Sequence, residues 1–158
     1  MSIRADPAKE FLLSARWAKV EVRRLKMKVA ELETQVEHIT ANYTGMPRGG
    51  SSEVAAAWTA LAALRTEYLE QQVLAEQKEK AVSDFIDLLP SPESREILHL
   101  RYCLQLRWTE IASELRASGY YYSERQVFRL HGKALNEARR LWAEREGEQH
   151  GNNETRDT

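Results

Sequence analysis

From Phe11 onward, Ala15, Ala18, Val22, Leu25, Val29, Leu32, Val36 and Ile39 follow one another at spacings of four and three residues without a miss. A repeat averaging 3.5 residues holds one narrow apolar edge on the same side of an α-helix for four heptads. That is the pattern of a coiled-coil seam and not of a broad globular face. Asp6-Pro7 supplies an N-cap and a proline at the first helical position. The helix is expected to run to about Ala41, roughly 50 Å at ~1.5 Å per residue. Such an edge cannot stay in water, so the rest of the chain has to provide something to cover it.

The next stretch supplies the partner. Asn42–Ser52 holds three glycines and a proline, which ends the first helix and reverses the chain. No Gly-Lys-Ser/Thr follows and no strand precedes, so this stretch is not a phosphate-binding P-loop. Ser51 or Ser52 then caps a second long helix, expected over 53–89. Its stripe is Leu61, Leu64, Tyr68, Ala75, Val82, Phe85 and Leu89, with Trp58 near the start and Gln71 and Lys78 at seam positions. Residues 1–42 carry a net charge of +2 and residues 53–89 carry −4. Opposite balances favour pairing the two helices antiparallel, as a hairpin of residues 6–89 with its loop at 42–52. A homo-oligomer through the same stripe is the alternative use of that surface.

Leu89-Pro-Ser-Pro92 marks the expected domain boundary, with Ser91 as cap, Pro92 at the first helical position and Glu93 at the positive end of the helix dipole. A short helix carrying Ile97, Leu98, Leu100, Arg101 and Tyr102 follows. After a turn at 104–107 comes a second short helix, Trp108–Leu115, whose Ile111, Ala112 and Leu115 make a small packing face. The last strong element is 123–142. Ser123 and Gln126 have capping-box spacing, and Val127, Leu130, Ala134, Ala138 and Leu141 form an apolar stripe. Arg125, Arg129, Gly132 and Asn136 share another face, with Lys133 beside them. Five Lys/Arg (125, 129, 133, 139, 140) stand against Glu124 and Glu137, a net of +3 over this helix. One buried face and one basic face suit the major groove of DNA, although a merely solvated charged face has the same composition. Residues 144–158 are polar, carry −3 and include glycine, and read as a disordered acidic tail.

Helix, turn, Glu110-Ile111-Ala112-x-x-Leu115 helix, turn, capped basic helix is the order of a helix-turn-helix DNA reader. With Leu89-Pro90, Arg95, Leu98-x-Leu100-Arg101-Tyr102, Ser123-x-Arg125-x-Val127 and Lys133-Ala134-Leu135 added, residues 89–142 resemble region 4 of bacterial sigma factors, the part that recognises the −35 promoter element. Including Tyr43-Thr-Gly-Met-Pro-Arg-Gly-Gly50, residues 8–142 are similar to phage late-gene transcriptional regulators of the ArpU and RinA group. The chain departs from that pattern twice. The glycine and Ser/Thr cap usual before the Glu-Ile-Ala helix are replaced by Gln105 and Arg107, and the turn Arg116–Tyr122 is longer, with Gly119 placed to end the preceding helix. Its tyrosines either pack over the reader helix or touch the DNA backbone.

The resemblance implies an all-α protein in which a helical hairpin precedes a helix-turn-helix domain at 90–143. It implies a sequence-specific transcriptional regulator that binds double-stranded DNA, with RNA polymerase as a further partner. Carried over by position, the base readers are Glu124, Arg125, Phe128 and Arg129, and phosphate contacts fall to Lys133, Arg139, Arg101 and Arg107. No cofactor is expected. Scattered His38, His99, His131 and His150 and the lone Cys103 offer no metal-ligand spacing and no nucleophile triad, so enzyme chemistry is not expected. No apolar run approaches the ~20 residues that span a bilayer, and nothing at the N-terminus resembles a signal peptide, so the expected compartment is the cytoplasm. Two other functions fit the same residues: a packaging factor resembling a small terminase subunit, and a coiled-coil interaction protein that binds no DNA.

Overall fold

The computed structural model describes residues 5–43 and 51–154. Every regular element among them is helical: α1 (Pro7–Tyr43), α2 (Ser51–Asp87), α3 (Pro92–Leu98), α4 (Trp108–Ala117) and α5 (Glu124–Glu154), with a π-helical turn His99–Cys103 continuing α3. None of these helices is long and apolar enough to cross a membrane. The two long helices make a hairpin-like pair. They start and stop within two residues of the bounds expected from the apolar repeat. Most of the reversal between them, residues 44–50, lies outside the described residues.

The chain divides into two compact units, Met1–Arg16 with Lys78–Thr158, and Trp17–Gln77. In Trp17–Gln77, Val29 and Val36 of α1 and Leu61 of α2 are buried together, with Leu32, Ala57, Leu64 and Tyr68 packed against them. Val36 is late in α1 and Leu61 early in α2, so the two segments run antiparallel. Glu33 accepts from the Arg65 guanidinium at 2.9 Å across the pair. Ala18 and Leu25 are buried on the same edge of α1. The seam is therefore used as its 4-3 spacing requires.

In the other unit, Asp6 caps α1 through Oδ1, which accepts from the Lys9 N–H at 3.2 Å. Leu12 and Ala15 of α1, Val82, Phe85 and Ile86 from the end of α2 and Leu89 just beyond it share one core with Ile97, Leu98, Ile111, Leu115, Val127, Ala134 and Ala138. A core of this composition is not divided at Leu89-Pro90, where the sequence places its domain boundary. Proline and serine there turn the backbone without separating what the side chains bury. Three aromatic rings close part of this core. Phe11 and Phe85 meet edge to face at 5.4 Å, and Trp142 lies 5.0 Å from Phe11 and 5.8 Å from Phe85.

Two local features differ from expectation. Ser91 occupies the N-cap of α3 with extended backbone, but its side chain makes no capping hydrogen bond, so Pro92 at the first position is what starts the helix. At its C-terminal end α5 does not stop near 142 but continues to Glu154. Ala143, Glu144, Arg145, Glu146, Glu148 and Gln149 are good helix formers. Once a helix is nucleated each added residue needs no new nucleus, so low hydrophobicity alone does not end it.

Candidate nucleic-acid interface

The start of α5 is set by its own sequence. The Ser123 N–H donates to Gln126 Oε1 at 2.9 Å, and the Gln126 N–H donates to Ser123 Oγ at 3.3 Å. This is the reciprocal box that satisfies two otherwise free donors. Val127, Ala134 and Ala138 are fully buried and Leu130 and Leu141 are partly so, which fixes the rotation of the helix. Arg125, Arg129 and Lys133 then follow one another at spacings of four on the opposite, exposed side. Among the described residues none of the three makes an ion pair or side-chain hydrogen bond. Gly132 lies between them in sequence with nothing within 4 Å of where a Cβ would stand, so the face is open. Glu124 is exposed in the first turn.

The preceding elements hold this helix in place. Gln105 adopts φ +57°, the left-handed region that a glycine occupies at no steric cost. For a residue with a Cβ this costs about 1–2 kcal/mol. It is tolerated because the Leu106 N–H then reaches the Leu100 carbonyl at 3.1 Å. Arg107 takes the N-cap of α4. Arginine has no acceptor, so the box is half made: the Arg107 N–H donates to Glu110 Oε2 at 2.7 Å. Ile111 and Leu115 bury the inner face of α4, and Ala112 is partly buried beside them. In the longer turn Gly119 has φ +93°, and the Tyr120 N–H closes onto the Leu115 carbonyl at 2.8 Å. Tyr120 and Tyr122 stack at 5.9 Å, Tyr122 packs against the core, and Tyr121 is 77% exposed. The turn therefore divides its tyrosines between packing and solvent.

One cluster had no local signal in the sequence. Arg101 lies 4.3 Å over the Trp108 ring and donates to the Leu106 carbonyl at 2.8 Å. Trp108 contacts Phe128 at 4.6 Å and His131 at 4.7 Å, and Tyr102 Oη and His131 Nε2 are hydrogen-bonded at 2.9 Å. The π-helical turn, α4 and α5 are joined through these five side chains. Residues from three elements, up to 30 positions apart in the chain, leave no periodicity to read. Phe128 keeps half of its surface exposed while resting on Trp108, so it can both pack and present an apolar edge.

The eight candidate residues thus separate by what already binds them. Arg125, Arg129, Lys133, Glu124 and Phe128 stand on α5 facing outward. Arg107 is exposed, with only a loose 3.8 Å pairing to Glu110. Arg101 is committed to Trp108 and a carbonyl. Arg139 donates to Asp6 Oδ2 at 2.7 Å and to Asn136 Oδ1 at 2.8 Å. Burial opposes ionisation of Asp6, but the Arg139 hydrogen bond, the Lys9 N–H and both positive charges outweigh it and lower its pKa. The base of α1 and the middle of α5 are tied by that pair.

Among the described residues no three His, Cys, Asp or Glu side chains come together as a metal site. His131 is pushed down to about 4, first by burial and then by the positive charges of Arg101, Lys9 and Arg139. Because this lies below the unfolded value of ~6.5, the unfolded chain takes up the proton first on acidification. The stability due to neutral His131 is complete above pH ~6.5 and is lost as pH falls toward 4. With solvent screening at a partly exposed ring, the loss is expected to be about 1–2 kcal/mol. Urea unfolding at pH 7.5 and pH 5 checks it: the difference should shrink in His131→Gln, and an equal difference in both proteins would refute the assignment.

Comparison with known proteins adds no relative to this geometry: no protein-family model matches the chain, nor does any curated protein or solved structure.

Proposed function

We propose that the chain is a sequence-specific DNA-binding transcriptional regulator of phage or prophage origin, and that residues 90–142 act as a helix-turn-helix with α5 as the reader. One observation carries this reading. Arg125, Arg129 and Lys133 stand free on the open face of a capped helix whose opposite face is locked into the core. Side chains held at the start of a rigid helix reach base edges, and the order α3, α4, α5 with its short Glu-Ile-Ala helix fits that use. Arg125 and Arg129 are assigned to guanine edges, Phe128 to a thymine methyl group, and Glu124 to a cytosine amino group. Lys133 and Arg107 are assigned to phosphates. Arg101 and Arg139 act by holding the reader in place, since their guanidinium groups have partners within the chain. RNA polymerase as a partner rests on the resemblance to sigma region 4 alone.

The test separates information from charge. Arg125→Ala is expected to cost ~1–3 kcal/mol on the preferred duplex and to leave weak general affinity largely intact. Lys133→Ala is expected to weaken all duplexes alike and to reduce the salt slope by about one. Each variant is titrated against selected and scrambled duplexes at two salt concentrations. Equal loss on both duplexes for Arg125→Ala would remove the base-reading role. No effect from either change would remove α5 as the DNA surface.

A further inference from the structure

Beside its buried edge, the start of α1 carries a basic flank. Lys9, Leu13 and Arg16 fall within an arc of about 60° at 3.6 residues per turn, on the side of the helix opposite Phe11. Leu13 packs, with Trp108, against the core that includes Tyr102. Lys9 and Arg16 are exposed, and among the described residues neither side chain makes an ion pair or hydrogen bond. Two more cations reach the same place from elsewhere in the chain, Arg101 from the π-helical turn and Arg139 from α5. Tyr102 and His131, hydrogen-bonded at 2.9 Å, mark where the four meet. Burial raises the Tyr102 pKa against the opposing charges of Arg101, Arg139 and Arg16. Burial and then the charges of Arg101, Lys9 and Arg139 depress His131, and burial and then Arg16 lower Arg101. Among the described residues Asp6 is the one carboxylate acting on either ring. Its oxygens are already taken by Arg139 and the Lys9 N–H.

The ties that hold Arg101 do not cancel its charge, because an indole ring and a carbonyl are both neutral. Four cations around one carboxylate leave this surface positive. Like charges brought together repel, and an anion from outside relieves that repulsion. The patch is continuous with the candidate interface: Arg101 lies over Trp108, and Trp108 touches Phe128 on α5. We infer that the DNA-binding surface extends onto the first helix, where Lys9 and Arg16 contact backbone phosphates of the same duplex that α5 reads. This rests on the reading of α5 proposed above. Seven helical positions separate the two side chains. That is ~10 Å along the axis, room for about three phosphates of one strand at ~3.4 Å each. Contacts of this kind add affinity and register but carry no sequence information.

Duplex titrations over a range of salt concentrations test it, with circular dichroism and thermal melting as folding controls. Lys9→Gln with Arg16→Gln is expected to lose at least ~tenfold in affinity at ~0.1 M salt, alike on selected and scrambled duplexes, and to reduce the salt slope by about two. Lys9→Arg with Arg16→Lys keeps both charges and should bind like the wild type. Lys26→Gln with Lys28→Gln removes the same charge from Trp17–Gln77 and should also bind like the wild type, since screening confines an exposed charge to ~10 Å at that salt. Equal loss in that control would make the effect one of net charge and overturn the inference. Wild-type affinity in the Lys9 and Arg16 double Gln variant, alongside losses in Arg125→Ala and Lys133→Ala, would overturn this inference and leave α5 as the reader. Loss in the double Gln variant with none in Arg125→Ala or Lys133→Ala would overturn the reading of α5 and keep Lys9 and Arg16 as phosphate contacts. A wild-type chain that binds no duplex would overturn both, and give the patch to an acidic protein segment instead.

Discussion

Phe85→Ala is expected to destabilise the chain by about 3–5 kcal/mol and to lower the melting temperature by on the order of 10 °C. Phe85 is 1% exposed and touches two other rings, Phe11 from the start of α1 and Trp142 from the middle of α5. Truncation removes the transfer energy of the ring and leaves a cavity whose walls come from three helices, so no single helix can shift to fill it. Edge-to-face geometry adds about 0.5–1.5 kcal/mol for such pairs beyond the area they bury. Phe85→Leu keeps most of the volume and is expected to cost less than half as much. Urea unfolding of both variants, with near-ultraviolet circular dichroism as the report of ring packing, decides the point. A loss below 1 kcal/mol for the alanine variant would mean that the three rings are not holding α1, α2 and α5 together.

No spacing along the chain points to that aromatic junction. The 4-3 repeat from Phe11 to Ile39 located the seam almost residue by residue, because helical spacing is a local property and a seam is a local demand. The capping residues were legible for the same reason: Ser123, Gln126, Asp6 and Gly119 act on backbone groups within four positions of themselves. Gln105 shows the limit of that logic. A glycine was missing from the expected position, yet the backbone adopts the glycine-like conformation there at some cost. Contacts between distant elements had no such trace. Nothing in the chain near Arg139 points to Asp6, 133 positions away, and nothing near Arg101 points to Trp108 as its partner. Arg101 and Arg139, both assigned to phosphates, have partners within the chain. Residues 144–154 continue α5 despite their polar, acidic composition, because helix propagation and not hydrophobicity decides there. The face of α5 with Arg125, Arg129 and Lys133 was legible as a face, since the buried stripe fixes it by exclusion. What touches that face is a property of a partner, and no spacing within one chain encodes it.

Leu25→Asp is the change expected to act most strongly on Trp17–Gln77. Leu25 is 1% exposed on the seam edge of α1, and Glu21, one turn earlier, already binds Arg24. A carboxylate at position 25 would be buried with no partner assigned to it, a situation that costs about 3–5 kcal/mol. The buried acid responds by holding its proton, so its folded pKa lies above the unfolded ~3.9. The sign follows from that order. Between the two values the folded state binds more protons, so the variant loses stability as pH rises through the carboxylate range and recovers part of it on acidification. Leu25→Asn carries a polar group of the same size with no charge, and should show the packing loss without the pH dependence. Local opening of residues 17–77 should precede global unfolding, so limited proteolysis is expected to cut the Asp variant within this segment before it cuts within 78–154. Thermal melts at pH 5 and pH 7.5, run on the wild type and both variants, provide the measurement. If Leu25→Asp melts like the wild type at both pH values, the edge from Phe11 to Ile39 faces water at its centre and the hairpin is not held by its seam.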